Sequence, residues 1–227
     1  YADVVNLPKY IKEAGYTGPY LVTEWGATGH WEVGRTIWDR PFEQTSSEKK
    51  ESYIERYNIA IASDPKHCLG SYAFLWGQKQ ERTPTWYGMF LESGEETASI
   101  DAMHFIWTGN WPDNLSPDLE SISLDNKSAF ENIYLDPNQS YTAFTIASDS
   151  DGDVLTYKWE IREEVTQLSD GGDFEPSAKI LSGLISSDSN DTISFISPEA
   201  RGPYRLFVYV YDGNNNAATA NIPFFVN

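Results

Sequence analysis

The chain has 227 residues, with 16 Lys plus Arg against 34 Asp plus Glu and a formal charge of -18. That length allows one large domain or two small ones, and 40% hydrophobic with 15% aromatic residues argues against disorder. A pI near 4.4 disfavours nucleic acid or an anionic lipid surface as partner, and the single cysteine, Cys68, excludes an internal disulfide and a cysteine cluster for zinc.

Three scattered histidines argue against a His-rich metal site. No apolar run approaches the roughly 18 residues needed to span a membrane, and no basic-then-apolar leader opens the chain. Composition shifts along the chain. Seven tryptophans precede residue 115 and only Trp159 follows it. Up to residue 115 there are 10 basic and 16 acidic residues; beyond it there are 6 and 18. The stretch 113–117 carries Asp113, Asn114 and Pro117, and suits a linker between units at 1–112 and 118–227.

In chain order, Asp3 to Ala14 places Val4, Leu7, Ile11 and Ala14 at near-helical spacing, with Gly15 suited to a C-terminal cap. Tyr20-Leu21-Val22-Thr23 is β-prone and apolar, as in a buried strand. Ser46 or Ser47 is placed to cap a helix from Glu48 to Ser63, striped by Tyr53, Ile54, Tyr57, Ala60 and Ile61. Leu69 to Trp76 reads as a second buried strand and Glu96 to Trp107 as a third helix. Alternating helix and strand predicts parallel-sheet α/β construction. After the linker, Tyr141 to Ala147, Leu155 to Ile161, Thr192 to Ile196, Tyr204 to Tyr211 and Ala217 to Val226 read as strands. The turn signals between them include Asp149 to Asp153, Gly171-Gly172 and Asp212 to Asn216. This half is expected to be an antiparallel β-sandwich of immunoglobulin type.

The chemistry-bearing stretch is Thr23-Glu24-Trp25-Gly26, a carboxylate ending a predicted strand and followed by an aromatic and a glycine. It resembles the seventh strand of clan A retaining glycoside hydrolases, whose nucleophile is a Glu at that position. Ser71 to Gly77, with Trp76 near its end, resembles their eighth strand, where an aromatic floors the sugar site. The resemblance covers about residues 1 to 110 and is nearest to family 2-like members acting on β-linked glycans. It implies a partial (β/α)8-barrel segment, made of the last strands and helices, ahead of the sandwich. It also implies Glu24 as nucleophile, with Trp25, His30, Trp31, Trp38, Trp76, Gln78 and Trp86 lining a cleft for a β-glycan or oligosaccharide. The competing role for Glu24 is a structural carboxylate paired with Arg35 or Arg82.

That clan places its acid/base in an Asn-Glu pair, which this sequence lacks. A complete barrel takes about 250 residues. The expectation is therefore a C-terminal part of a longer enzyme, inactive alone, needing the upstream remainder of the barrel. Glu32 and Glu81, the nearest substitutes, are read as residues of polar, solvent-exposed loops. No cofactor is required by this reading. Asp149, Asp151 and Asp153 approach a calcium-loop pattern, but Val154 stands where that pattern has glycine. The stretch resembles the Asp-rich turn of PKD- and cadherin-like modules of secreted bacterial proteins, which implies a secreted, periplasmic or cell-surface location. The alternative function is a non-catalytic carbohydrate-binding or cell-surface structural protein.

Overall fold

The computed structural model describes residues 1–169, 173–187 and 189–227, so the expected Gly171-Gly172 turn lies outside the described residues. A 3-10 turn (Ala2–Asn6) leads into helix α1 (Leu7–Glu13). Strand β1 (Tyr20–Gly26), helix α2 (Ser46–Tyr57), a π-turn (Asn58–Ala62) and strand β2 (Cys68–Phe74) follow. A short β3 (Glu96–Thr97) precedes helix α3 (Ala98–Thr108), whose end is set by Gly109 in the left-handed region at φ 76°. The expected caps of α2 are displaced. Thr45 is the N-cap and forms a reciprocal capping box with Glu48. Ser46 and Ser47 instead accept hydrogen bonds from Thr219 N and Leu119 N, across to the second half.

The second half contains β4 (Asp118–Leu124), β5 (Lys127–Ser128), β6 (Ile133–Leu135), β7 (Ser140–Ser148), β8 (Thr156–Glu163), β9 (Thr192–Ile196), β10 (Gly202–Tyr211) and β11 (Asn216–Val226). One sheet runs β5-β4-β7-β9 and the other β3-β11-β10-β8, with β6 also on β11. Between them lies a core including Leu119, Leu124, Trp159, Phe195, Leu206, Ile222 and Phe224. The β4, β5 and β6 strands had no counterpart in the sequence reading. β4 (DLESISL) does alternate, but its polar positions are all small or acidic and it abuts the expected linker.

The barrel expectation is overturned. Strand outweighs helix, 34% against 18%, and the three α-helices are not in a barrel-like arrangement. β1 and β2 are parallel but make a sheet of two strands, joined to no other among the described residues. Nor are they buried strands. Leu21, Leu69 and Tyr72 are 50%, 68% and 64% exposed. The first half also contributes to the sandwich. β3 pairs in parallel with the start of β11, and Leu91 packs with Phe207, Tyr209 and Ala217.

A buried polar network ties the halves together. Arg205 donates to Glu164 (2.8 Å), Asn221 Oδ1 (2.6 Å) and the Pro41 carbonyl (2.9 Å). Asn221 donates to Glu43, which also takes Lys49 Nζ and the Thr83 and Thr85 hydroxyls. Burial raises the Glu43 carboxyl pKa, but Lys49, Thr83 and Arg205 outweigh that and hold it below the usual carboxylate range. Every charge here has a partner, the condition under which buried ions are tolerated.

Candidate functional site

The C-terminal ends of β1 and β2 are fixed by α2. Arg56 donates to the Gly26 carbonyl at 2.5 Å and to Thr28 Oγ1 at 2.6 Å, and Tyr53 donates to the Phe74 carbonyl at 2.6 Å. In register, Gly26 stands beside Phe74. A Cβ at Gly26 would lie 2.3 Å from the Phe74 carbonyl oxygen, so the strands meet this closely only with glycine there.

Glu24 projects from this end of β1 and is exposed. Its partner is Tyr1, whose hydroxyl donates to Oε1 at 2.5 Å. Arg35 and Arg82, the cations weighed as structural partners, are engaged elsewhere: Arg35 with Asp39 and the His30 carbonyl, Arg82 with Glu175. The Tyr1 ring is packed by Trp31, Phe74 and Tyr87, with centroids 5.3, 5.5 and 5.6 Å away. Burial, and then the bond to Glu24, push the Tyr1 phenol well above its ordinary value. It therefore stays a donor across the physiological range.

Glu32 and Glu81 are not the solvated loop residues expected. Glu32 accepts from Ala2 N (2.8 Å), Asp3 N (3.1 Å) and Gly29 N (2.8 Å), closing the first loop onto the start of the chain. Burial raises its carboxyl pKa, but those backbone donors outweigh it and hold the group below the usual range. Such a group does not carry a proton near neutral pH. Glu81 is 5% exposed, pairs with Lys79 and lies 3.4 Å from His30 Nε2. His30 is itself buried, its N–H donates to Tyr87 Oη, and burial together with Arg82 lowers its pKa.

The expected aromatic lining divides. Trp31 is exposed beside Tyr1. Trp25 is 0% exposed and packs on Tyr53 and Tyr57, so it is a core residue rather than a sugar contact. Trp86 is buried too, its indole N–H bonded to the Thr28 carbonyl, and Gln78 donates to the Pro84 carbonyl. Trp38 packs on Tyr134 and Phe225 of the sandwich. Trp76 is exposed but turns to Phe90 and Trp107, while the β2 aromatic that faces Tyr1 is Phe74. Trp107 and Trp111 are both exposed. Tyr1 and Phe74 were missed by sequence reasoning. Neither carried a local signal: Phe74 joins the site only through its register beside Gly26.

At the acidic turn, Asp151 is not one of the clustered carboxylates. It accepts the Leu115 N–H at 2.7 Å, pinning the linker. Among the described residues the cluster is Asp149, Asp153 and Asp212, with ligand atoms within 4.8 Å of one another. Most of these oxygens accept hydrogen bonds, but Asp149 Oδ2 is buried without a hydrogen-bond partner. Asp149 accepts from Asp151 N and Asp153 N, Asp153 from Asn214, and Asp212 from Asn114, Asn214 N and Asn216 N. Calcium takes about six to eight oxygens. The three carboxylates supply only part of such a shell, and their hydrogen bonds also hold the turn together.

No family model and no curated protein matches the chain. Among solved structures, the PmoD soluble domain from Methylocystis sp. ATCC 49242 (Rockwell) is 16% identical, covering 52% of this chain and 95% of its own, with a TM-score of 0.27. A DUF4784 family protein from Bacteroides caccae ATCC 43185 is 9% identical over 48% of this chain and 24% of its own, with a TM-score of 0.24. Likenesses this slight carry no functional argument. None of the described helices is long and apolar enough to cross a membrane.

Proposed function

We propose that this chain supplies the nucleophilic half of a secreted retaining glycoside hydrolase or transglycosylase acting on β-linked glycans, with Glu24 as nucleophile. The observation that carries the reading is the 2.5 Å bond from Tyr1 to the exposed Glu24, with the Tyr1 ring packed by Trp31, Phe74 and Tyr87. A carboxylate that is to attack an anomeric carbon must be accessible and aimed, and a permanent donor on one oxygen aims the other. Trp31, exposed beside Tyr1, offers an aromatic face suited to the C–H surface of a pyranose.

A retaining mechanism also needs a protonated carboxyl about 5 to 5.5 Å from the nucleophile. Glu32 and Glu81 are both held by donors or cations and neither is free to protonate a leaving oxygen. The acid/base is therefore assigned to another polypeptide segment. The purified chain is expected to release no reducing sugar from β-glucans.

The test exploits leaving groups that need no acid. With 2,4-dinitrophenyl 2-deoxy-2-fluoro-β-glucoside, a Glu24 oxygen forms a bond to C1. The C1–O bond breaks and dinitrophenolate departs with the electron pair. The expected result is a stoichiometric mass increment on the peptide bearing Glu24, abolished in Glu24→Gln. A chain that stays unlabelled while still binding β-oligosaccharides through Trp31 would favour the alternative, a non-catalytic carbohydrate-binding protein.

A further inference from the structure

Loop 77–87 follows β2, and the sandwich half holds it. Its tip is Arg82, which adopts φ 65°, a left-handed conformation disfavoured for a residue with a side chain. Glu81 and Thr83 close around it with reciprocal backbone bonds of 3.2 and 2.8 Å. The tip is gripped by Glu175, which follows β8 in the chain and is 2% exposed. Its Oε1 accepts from Arg82 N at 2.6 Å and Gln80 Nε2 at 3.3 Å. Its Oε2 accepts from Arg82 Nη1 at 3.2 Å and Ser169 N at 3.1 Å. A buried carboxylate with five donors, the Ser169 hydroxyl among them, is a rigid anchor, because shifting any donor leaves buried charge undercompensated.

From that anchor a chain of contacts runs to the nucleophile. Next to Arg82, Glu81 faces His30 Nε2. The backbone N–H of His30 donates to Tyr87 Oη, and its ring lies edge-on to Trp31 at 4.9 Å. Tyr87 and Trp31 are two of the three rings around Tyr1, and Tyr1 donates to Glu24. We propose that Glu175 of the sandwich half is a positioning residue for the Glu24 site, fixing loop 77–87 so that Glu81 and Tyr87 hold His30 and Tyr1 in place. On this view the sandwich is part of the site's scaffold and not a spacer. The inference rests on Glu24 being the nucleophile for its kinetic consequence, but not for its structural one.

The experiment uses the 227-residue chain with two variants. Glu175→Gln keeps the shape but turns an amide N–H toward Arg82 and Ser169. Arg82→Asn removes the guanidinium with a residue that tolerates the left-handed backbone, and it decides the matter should Glu175→Gln fail to fold. Two readouts are taken: the pH titration of the His30 ring by NMR, and trapping of Glu24 by 2,4-dinitrophenyl 2-deoxy-2-fluoro-β-glucoside. Arg82→Asn should raise the His30 pKa, since that cation adds to burial in lowering it. Glu175→Gln should displace the His30 resonances and slow maximal trapping about tenfold, with the half-saturating concentration within twofold, as expected for misorientation rather than lost binding. Folded variants with wild-type His30 titration and trapping rate would overturn the proposal. If the unsubstituted chain is not trapped at all, the nucleophile reading fails; the His30 arm still decides the role of Glu175, and unmoved resonances there sink it.

Discussion

The sandwich and the β1–β2 pair use strands of similar length and apolar content, yet only the sandwich is closed. β9 reads Thr-Ile-Ser-Phe-Ile and is alternately exposed and buried along its length, so one face meets the core and the other meets water. β1 and β2 instead carry apolar residues on both faces. Leu21 and Leu69 point away from α2 and stay in solvent, while Val22 and Trp25 are buried. Alternating strands need one cover, which two sheets supply to each other. Near-continuous apolar parallel strands need two, and here only the helix side is covered. The lesson concerns the site as much as the fold, since Glu24 lies on the strand whose Leu21 is left in solvent.

The largest expected effect lies in the closed half. Phe224 is fully buried between the sheets, against Phe195 and Tyr204. Phe224→Ala should cost about 3–5 kcal/mol, the range for deleting a packed aromatic. Urea unfolding followed by Trp159 fluorescence measures it, and a loss below about 1 kcal/mol would mean that the sandwich core is not packed as described. Because Leu91 and β3 join this half, the tryptophans of the first half should report the same transition. Two separated transitions would show that the halves unfold independently.

The join itself is tested at Glu43. Glu43→Gln leaves Lys49 buried without its counter-charge and should destabilise the chain by about 3 kcal/mol at pH 7. The folded Glu43 carboxyl is held below its ordinary value of 4.5, so its contribution is complete above that pH and is lost as pH falls through the lower folded value. The gap between wild type and Glu43→Gln should therefore narrow from pH 5 downward. A gap that is constant between pH 7 and pH 3 would rule out Glu43 as an ionised member of the network.

How much of this was legible beforehand follows from where the information sits. The later strands were readable because their alternation or apolar content and the turns between them are local; Thr192–Ile196 matches to the residue. Glu24 was singled out because a carboxylate between a β-prone run and Trp-Gly is a local pattern too. What failed is non-local. Nothing in Tyr20 to Gly26 says how many strands flank it, so a two-stranded sheet and a closed barrel look alike from within one strand. Trp25 and Trp86 look like Trp31 in sequence and differ only in what packs on them. The same holds for Glu81 and Glu175, whose partners lie in another loop or the other half. Asp212, in a turn about 60 residues beyond Asp149, could join the acidic cluster only after β10 and β11 had paired.

The smallest expected effect sharpens the contrast between the two halves. Leu69 is 68% exposed on β2, so Leu69→Ser removes few contacts and should change stability by no more than about 0.5 kcal/mol in the isolated chain. The same exposure makes it an association liability, since Leu21, Leu69 and Tyr72 present apolar surface beside two unpaired strand edges. Leu69→Ser should therefore raise the concentration at which the chain begins to self-associate, read by light scattering, with the unfolding midpoint unmoved. Ile222→Ser, at an apolar residue fully buried in the sandwich, should do the reverse, lowering the midpoint and promoting aggregation. A Leu69→Ser variant that unfolds as readily as Ile222→Ser would mean that β2 is covered on both faces after all. In that case the difference between the halves would lie in their topology and not in their burial.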